Sequence, residues 1–149
     1  MNTILDAPVA AEQKLEYAGF WIRVVAYIID SIVLSVVLGV IGFALVGAAI
    51  ASESFGLLIG VYVFYLVVVF AYFTVMESSS RQATLGKMAV GIKVGNEQGQ
   101  RISPANALGR AASKILSGLI LYIGYIMVGF DVRKQGLHDK IAGTVVYYG

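Results

Sequence analysis

The longest apolar run of this chain, from Gly19 to Ala51, limits what it can fold into more than any other feature. The run holds two opposite charges, Arg23 and Asp30, and the next ionisable residue is Glu53. As a helix, residues 31–51 alone would extend for about 30 Å, the thickness of a hydrocarbon core. Positions seven apart lie on roughly one side of a helix. The run therefore predicts a membrane-spanning helix with an ionic face near its start.

The composition agrees with a membrane protein. Hydrophobic residues make up 58% of the chain and charged residues 13%, against about 25% charged residues in a soluble domain. The mean hydropathy is +0.81. We expect a polar leader over residues 1–18, which lacks the pattern of a cleaved signal peptide, and one membrane domain over residues 19–149. The absence of cysteine excludes thiolate sites, and a net charge of +2 does not favour nucleic acid.

A second charge-free run extends from Leu57 to Met76. Spans over about residues 20–50 and 57–76, joined by a short connection, predict an antiparallel transmembrane hairpin. The tip carries Glu53 and no basic residue, whereas residues 77–111 contain five Lys and Arg residues. By the positive-inside rule, we expect a multi-pass protein of the cell (inner) membrane with a cytosolic N-terminus.

The cytosolic segment 77–103 contains a strand-like run, Val90 to Val94, followed by a turn over residues 95–99. The C-terminal tail 131–149 ends in good strand formers, Thr144 to Tyr148. If the tail is cytosolic, the two runs can pair in a small β element. The sequence thus predicts an all-α membrane protein with one small sheet beside the membrane.

A third membrane-embedded helix is predicted over residues 104–130. Ser103 and Pro104 are a typical helix start. A polar stripe of Asn106, Arg110, Ser113, Lys114 and Ser117 makes its first part amphipathic. Residues 119–130 are wholly apolar but only 12 in number, so residues 112–130 either cross the membrane or enter it and return. Both forms stay open.

Three short patterns together resemble those of the RDD family of small bacterial membrane proteins. They are Arg23 with Asp30, the TLGK sequence of residues 84–87 before GIKV, and LHDKIAGTVV near the C-terminus. The resemblance extends from Gly19 to Tyr148. It implies that Arg23 and Asp30 are the family's arginine and first aspartate. It also implies that Asp139 is the second, in preference to Asp131, and that cation/proton exchange is one activity to consider.

Asp30 has the chemistry that such an exchange needs. Withdrawal from water disfavours a charged carboxylate, and a nearby arginine favours it, so its proton can exchange near neutral pH. Supporting candidates are Ser31, Tyr27, Arg110, Lys114 and His138. If the apolar core begins only at Ser31, however, Arg23 and Asp30 are interfacial charges, and Arg23 merely sets topology.

Two functions therefore remain open. The first is an oligomeric transporter that exchanges a small cation for protons through Asp30 and Arg23, with Asp139 at the cytosolic mouth. The second is a membrane scaffold or assembly factor in which the same charges form a structural cluster. Ser31, Ser35 and Gly39 recur every four residues and suggest helix association, in line with a homo-oligomer. We expect no enzyme activity, because no nucleophile and base occur together, and neither a metal site nor a cofactor.

Overall fold

A computed structural model of the chain describes residues 15–119 and 123–149. Most of the predicted leader, residues 1–14, lies outside this description. Helices α1 (Phe20–Ala51) and α2 (Phe55–Ser78) are both long and apolar enough to cross a membrane, as the two apolar runs predict. The remaining elements are α3 (Leu85–Ala89), β1 (Ile92–Gly95), α4 (Pro104–Leu119), α5 (Ile123–Phe130), α6 (Leu137–Ala142) and β2 (Val145–Tyr148).

Helices α1 and α2 pack through a glycine and a tyrosine. A Cβ atom on Gly42 would lie 1.4 Å from the Tyr65 hydroxyl oxygen, so only glycine admits this ring. The Tyr65 hydroxyl donates a 2.8 Å hydrogen bond to the carbonyl of Leu38, which satisfies a phenol in the middle of the helix. A Cβ atom on Gly39, in the predicted small-residue stripe, would meet nothing within 4 Å among the described residues. The predicted small-residue stripe is therefore not where the two helices touch.

A two-stranded sheet lies beside the start of α1. Strands β1 and β2 pair antiparallel, with Ile92 opposite Tyr148 and Gly95 opposite Val145. Residues 16–18 lie along the other edge of β2, where the Ala18 amide donates to Val146 and the Tyr148 amide donates to Glu16. These residues, assigned to the leader on sequence grounds, thus pair with the domain. The core between sheet and helices consists of Ala18, Ala26, Ile92, Val94, Ile102, Ala107 and Val146.

The chain reverses between α4 and α5. The Tyr125 hydroxyl donates a 3.2 Å hydrogen bond to the Lys114 carbonyl. In one continuous helix, eleven residues would separate these positions by about 16 Å. The two helices have 16 and 8 residues, and neither qualifies as a span among the described residues. The described residues of 112–130 therefore do not form one continuous crossing helix, and entry into the membrane followed by return stays a prediction.

Helix α4 carries most of its polar stripe inward, whereas Asn106 at its start is exposed. Arg110 and Ser117 are buried, while Leu108 and Ile115 on the opposite face are 50% and 54% exposed. A helix in water presents the reverse pattern, with apolar residues facing the core. An apolar outer face is stable when lipid surrounds it. This arrangement agrees with a membrane-associated helix whose charged residues meet partners inside the protein.

Candidate functional site

Asp30 is buried in α1 and accepts three hydrogen bonds. Its side chain receives the Tyr72 hydroxyl at 2.7 Å, the Thr84 hydroxyl at 2.6 Å and the Gly86 backbone amide at 2.7 Å. Asp30 is 1% exposed. Asp30 therefore fastens α2 and the start of α3 to α1.

The TLGK sequence explains how α3 reaches Asp30. The Thr84 side chain caps α3 by accepting from the Lys87 amide, and its hydroxyl also donates to Asp30. A Cβ atom on Gly86 would lie 2.0 Å from the carbonyl oxygen of Ala26 and 2.8 Å from Cγ of Asp30. The backbone of α3 thus touches the backbone of α1, which only glycine permits at this position.

Arg23 lies about two turns before Asp30 but has different partners. Its guanidinium contacts Oδ2 of Asp139 at 2.5 Å and donates to the backbone carbonyls of Ala18 and Lys134 at 3.0 and 2.5 Å. Seven residues of helix separate Arg23 from Asp30 by about 10 Å along the axis. The contacts therefore do not support the hypothesis that Arg23 acts directly on the carboxylate of Asp30. Arg23 joins the start of α1 to α6 instead.

Asp139 is fully buried at the start of α6 and lies between two arginines. Besides Arg23, Nε of Arg110 lies 2.9 Å from its Oδ1, an ion pair by distance although the N–H is not aligned for a hydrogen bond. Its Oδ2 accepts from the Gly136 amide at 3.1 Å. Asp131, the other aspartate considered, pairs instead with Lys140 at 2.5 Å. Of the two aspartates, Asp139 is the one that contacts Arg23.

A third buried carboxylate, Glu77, was not predicted as a site residue. It is 0% exposed at the end of α2. Lys87, Arg110 and Lys114 surround it, with nitrogen to oxygen distances of 2.5, 3.2 and 3.5 Å. Two sequence features could have indicated Glu77 as a site residue. It is the acidic residue that ends the charge-free run of α2, and Arg110 and Lys114, which share one face of α4, are possible partners for it.

We call Arg23, Glu77, Lys87, Arg110, Lys114 and Asp139 the ionic cluster. Arg110 contacts both carboxylates, so the cluster is continuous across α1, α2, α3, α4 and α6. Groups this deeply buried are stable as ions only when they are paired. The cluster therefore holds these five helices together at the end of the hairpin where α1 begins and α2 ends.

Burial and neighbouring charges change the titration of the cluster. Burial, with a contribution from Arg110, lowers the pKa of Lys87 to about 7 in spite of its contact with Glu77. Burial would raise the pKa of Asp139, but Arg110 and Arg23 outweigh it and hold that pKa below its ordinary value. The carboxylate of Asp139 is thus charged throughout the physiological range.

His138 is buried beside the cluster. Burial lowers its pKa to about 3, although Asp139 acts in the opposite direction. The imidazole is therefore neutral at physiological pH. Its ring lies 5.0 Å from the ring of Tyr125, and its Nδ1 has no hydrogen-bond partner among the described residues. We find no group of three or more acidic or histidine side chains suited to a metal ion within residues 15–119 and 123–149.

The other supporting candidates, Ser31, Tyr27, Arg110 and Lys114, differ in their contacts and burial. The Ser31 hydroxyl donates to the Tyr27 carbonyl within α1, an ordinary helix contact. The Tyr27 side chain is 63% exposed. Arg110 and Lys114 belong to the ionic cluster itself, which places the inward stripe of α4 at the centre of the site.

A cavity of about 500 Å³ borders the ionic cluster. Its polar lining consists of Arg23, Asp30, Lys87, Arg110, Lys114 and His138. Apolar and aromatic side chains of α1, α2, α5 and β2 form the rest of the wall: Phe20, Val24, Tyr27, Phe73, Tyr125, Ile126, Val128 and Val146. A cavity of this size and character is typical of small-molecule sites.

Comparisons with known proteins concern the family of the chain. The sequence profile of the RDD family matches residues 17–143. Two relatives come from Bacillus subtilis (strain 168). The uncharacterized protein YxaI is 40% identical over 88% of this chain and 97% of its own length. The uncharacterized membrane protein YteJ is 34% identical over 89% of this chain and 81% of its own length. No solved structure matches the chain.

Proposed function

We propose, from the premise that this chain belongs to the RDD family, that it acts as a membrane scaffold whose buried charges fix a polar layer to a helical hairpin. One observation carries this proposal: the arginine and both aspartates are engaged with other segments of the chain. Arg23 contacts Asp139, and Asp30 accepts from Tyr72, Thr84 and Gly86. Because these side chains already bind other segments of the chain, we favour a structural role for them.

The energetics support the same role. Breaking a buried ion pair by removing one partner costs about 3–5 kcal/mol. The side chains of Asp139 and Glu77 are both 0% exposed, and each meets more than one cation. Loss of one carboxylate therefore affects several elements at once. Such a layer would present a fixed surface to a partner protein or to a second copy of this chain.

The second candidate is the exchange of a small cation for protons by a homo-oligomer. Asp30 lines the cavity, so an ion inside the cavity would meet its carboxylate. Two spans enclose no aqueous path by themselves, and association of several copies would be needed. Exchange also requires Asp30 to give up donors that it holds at 2.6–2.7 Å, which is why we place this function second.

We further propose that the polar layer is cytosolic. The contacts of Arg23 with Asp139, and of Arg110 with both Asp139 and Glu77, support a common side for the tail, the end of α2 and the start of α1. In this orientation the basic residues 81–140 would lie on the cytosolic side and Glu53 at the opposite tip, as the positive-inside rule requires of a cytosolic layer. The chain contains no cysteine, so single cysteines at Ser52 and Gly149 can be labelled with an impermeant thiol reagent. Labelling of Ser52→Cys alone in intact cells is expected, and labelling of Gly149→Cys alone would contradict this orientation.

Proton flux in proteoliposomes separates the two functions. The scaffold proposal predicts no cation-dependent proton movement by the purified protein under a pH gradient. It predicts that Asp30→Asn lowers the melting temperature in detergent, whereas the matched variant Glu53→Gln, at the exposed tip of the hairpin, does not. Cation-dependent flux that Asp30→Asn abolishes, with an unchanged melting curve, would refute the scaffold and establish exchange.

A further inference from the structure

We propose that the cavity beside the ionic cluster binds the phosphate headgroup of an anionic lipid. The phosphate would lie against the cations of α3 and α4, and the start of its hydrocarbon part would lie between α1 and α5. This goes beyond the structural role of the cluster, because it assigns a ligand to the space that the cluster borders.

The first support is the balance of charge around the cavity. The described residues bring four cations together, namely Arg23, Lys87, Arg110 and Lys114, and three carboxylates, namely Asp30, Glu77 and Asp139. Asp30 is already occupied by donors that carry no charge. Excess positive charge in a buried place is costly unless an anion compensates it. An anionic group in the cavity would supply that compensation.

Lys114 is the cation best placed to meet a ligand. Its ammonium is 3.5 Å from Glu77, the longest of the three contacts to that carboxylate, and its side chain is 21% exposed. It also lies 4.1 Å from the centre of the Phe73 ring.

The apolar wall and the mouth of the cavity favour a lipid over a free anion. The cavity that the cations line is also lined by Phe20, Val24 and Phe73. A hydrated inorganic ion would gain no favourable contact from these apolar side chains. Tyr27 and Ile126 line the cavity and are also 63% and 51% exposed. The cavity therefore opens between α1 and α5, in the first turns of a membrane helix, where phosphate headgroups lie.

His138 supplies a further polar atom. It is 4% exposed, lines the cavity, and its Nδ1 has no partner among the described residues. An unpaired buried nitrogen costs free energy, and a phosphate oxygen would satisfy it when Nδ1 carries the proton. The cavity thus combines cations, a free hydrogen-bonding nitrogen and an apolar channel toward lipid.

A titration of the full-length protein in dodecyl maltoside tests the proposal. Dioleoyl phosphatidic acid, dioleoyl phosphatidylcholine and inorganic phosphate are added separately, and thermal unfolding is followed. A ligand that binds only the folded protein raises its stability in a saturable way. We expect saturable stabilisation by phosphatidic acid and none by phosphatidylcholine. Equal stabilisation by both lipids, or by inorganic phosphate at the same concentration, would overturn the proposal.

Two variants separate binding from folding. Lys114→Gln should weaken the apparent Kd for phosphatidic acid by about tenfold or more, the usual effect of losing one charged hydrogen bond. Lys93→Gln, which makes the same change on β1 outside the cavity lining, should leave the Kd within about twofold. Val24→Phe keeps every charge and fills the apolar wall, so it should also weaken binding. If Lys114→Gln and Val24→Phe bind as tightly as Lys93→Gln, the site is elsewhere.

Discussion

Replacing Gly86 with alanine tests the contact that joins α3 to α1. The new Cβ atom would lie 2.0 Å from the Ala26 carbonyl oxygen and 2.8 Å from Cγ of Asp30. Ordinary van der Waals contact needs well over 3 Å, so α3 must move away by more than 1 Å. That movement breaks the 2.7 Å hydrogen bond from the Gly86 amide to Asp30 and strains the one from Thr84.

The cost follows from these two effects. Overpacking of a tight contact costs about 1–3 kcal/mol, and a hydrogen bond to a charged group contributes about 1.5–3 kcal/mol. We therefore expect Gly86→Ala to lower the free energy of unfolding by about 3–5 kcal/mol. Because the closest contact is with a backbone oxygen, Ala26→Gly in the same chain should not restore stability.

Denaturant titration of the purified protein in mixed micelles measures this difference. Gly109→Ala is the matched control, since a Cβ atom on Gly109 in α4 meets nothing within 4 Å among the described residues. Alanine is a better helix former than glycine by about 1 kcal/mol, so the control should be neutral or slightly stabilised. If Gly86→Ala unfolds within about 0.5 kcal/mol of the unsubstituted protein, the close contact of α3 with α1 is refuted.

Three further predictions concern other contacts. Gly42→Ala should destabilise the hairpin by about 1–2 kcal/mol, because its Cβ displaces the Tyr65 hydroxyl. Tyr65→Phe in the same chain should relieve only part of that cost, because Cζ of the ring would still lie 2.7 Å from the new Cβ atom. Equal melting temperatures of Gly42→Ala and the unsubstituted protein would contradict this prediction. Glu77→Gln leaves three buried cations short of a carboxylate and should cost about 3–5 kcal/mol, while Glu53→Gln should leave the melting temperature unchanged. The pKa of His138 is lowered from 6.5 to about 3, so between these pH values the folded state binds fewer protons than the unfolded state. The free energy of unfolding should therefore decrease as the pH is lowered below 6.5, by up to about 1.4 kcal/mol per pH unit. If the melting temperature of His138→Gln depends equally steeply on pH, His138 is not the origin of this effect.

The sequence predicted the parts of this fold that depend on local pattern. The apolar runs gave both long helices within a few residues of Phe20–Ala51 and Phe55–Ser78, because a span needs length and apolar character and little else. The strand-like composition near Val94 and Val146 likewise indicated the residues that pair in the sheet. Their side of the membrane stays a prediction.

The partners of the charges could not be predicted in the same way. Arg23 and Asp30 share a helix face, which suggested that they act together, but Arg23 contacts a residue 116 positions away and Asp30 contacts residues 42–56 positions away. Helical periodicity gives the direction of a side chain, not the element that packs against it. The same limit hid Glu77, whose cations come from two different helices.

The most direct test of the account is a double-mutant cycle on Arg23. Unfolding free energies are measured in detergent for Arg23→Gln, Asp139→Asn and Asp30→Asn, and for each aspartate variant combined with Arg23→Gln. Residues in one ion-pair network couple by about 0.5–3 kcal/mol, whereas independent sites add within about 0.3–0.5 kcal/mol. The account predicts clear coupling of Arg23 with Asp139 and additive effects with Asp30. Coupling of Arg23 with Asp30, and none with Asp139, would contradict it.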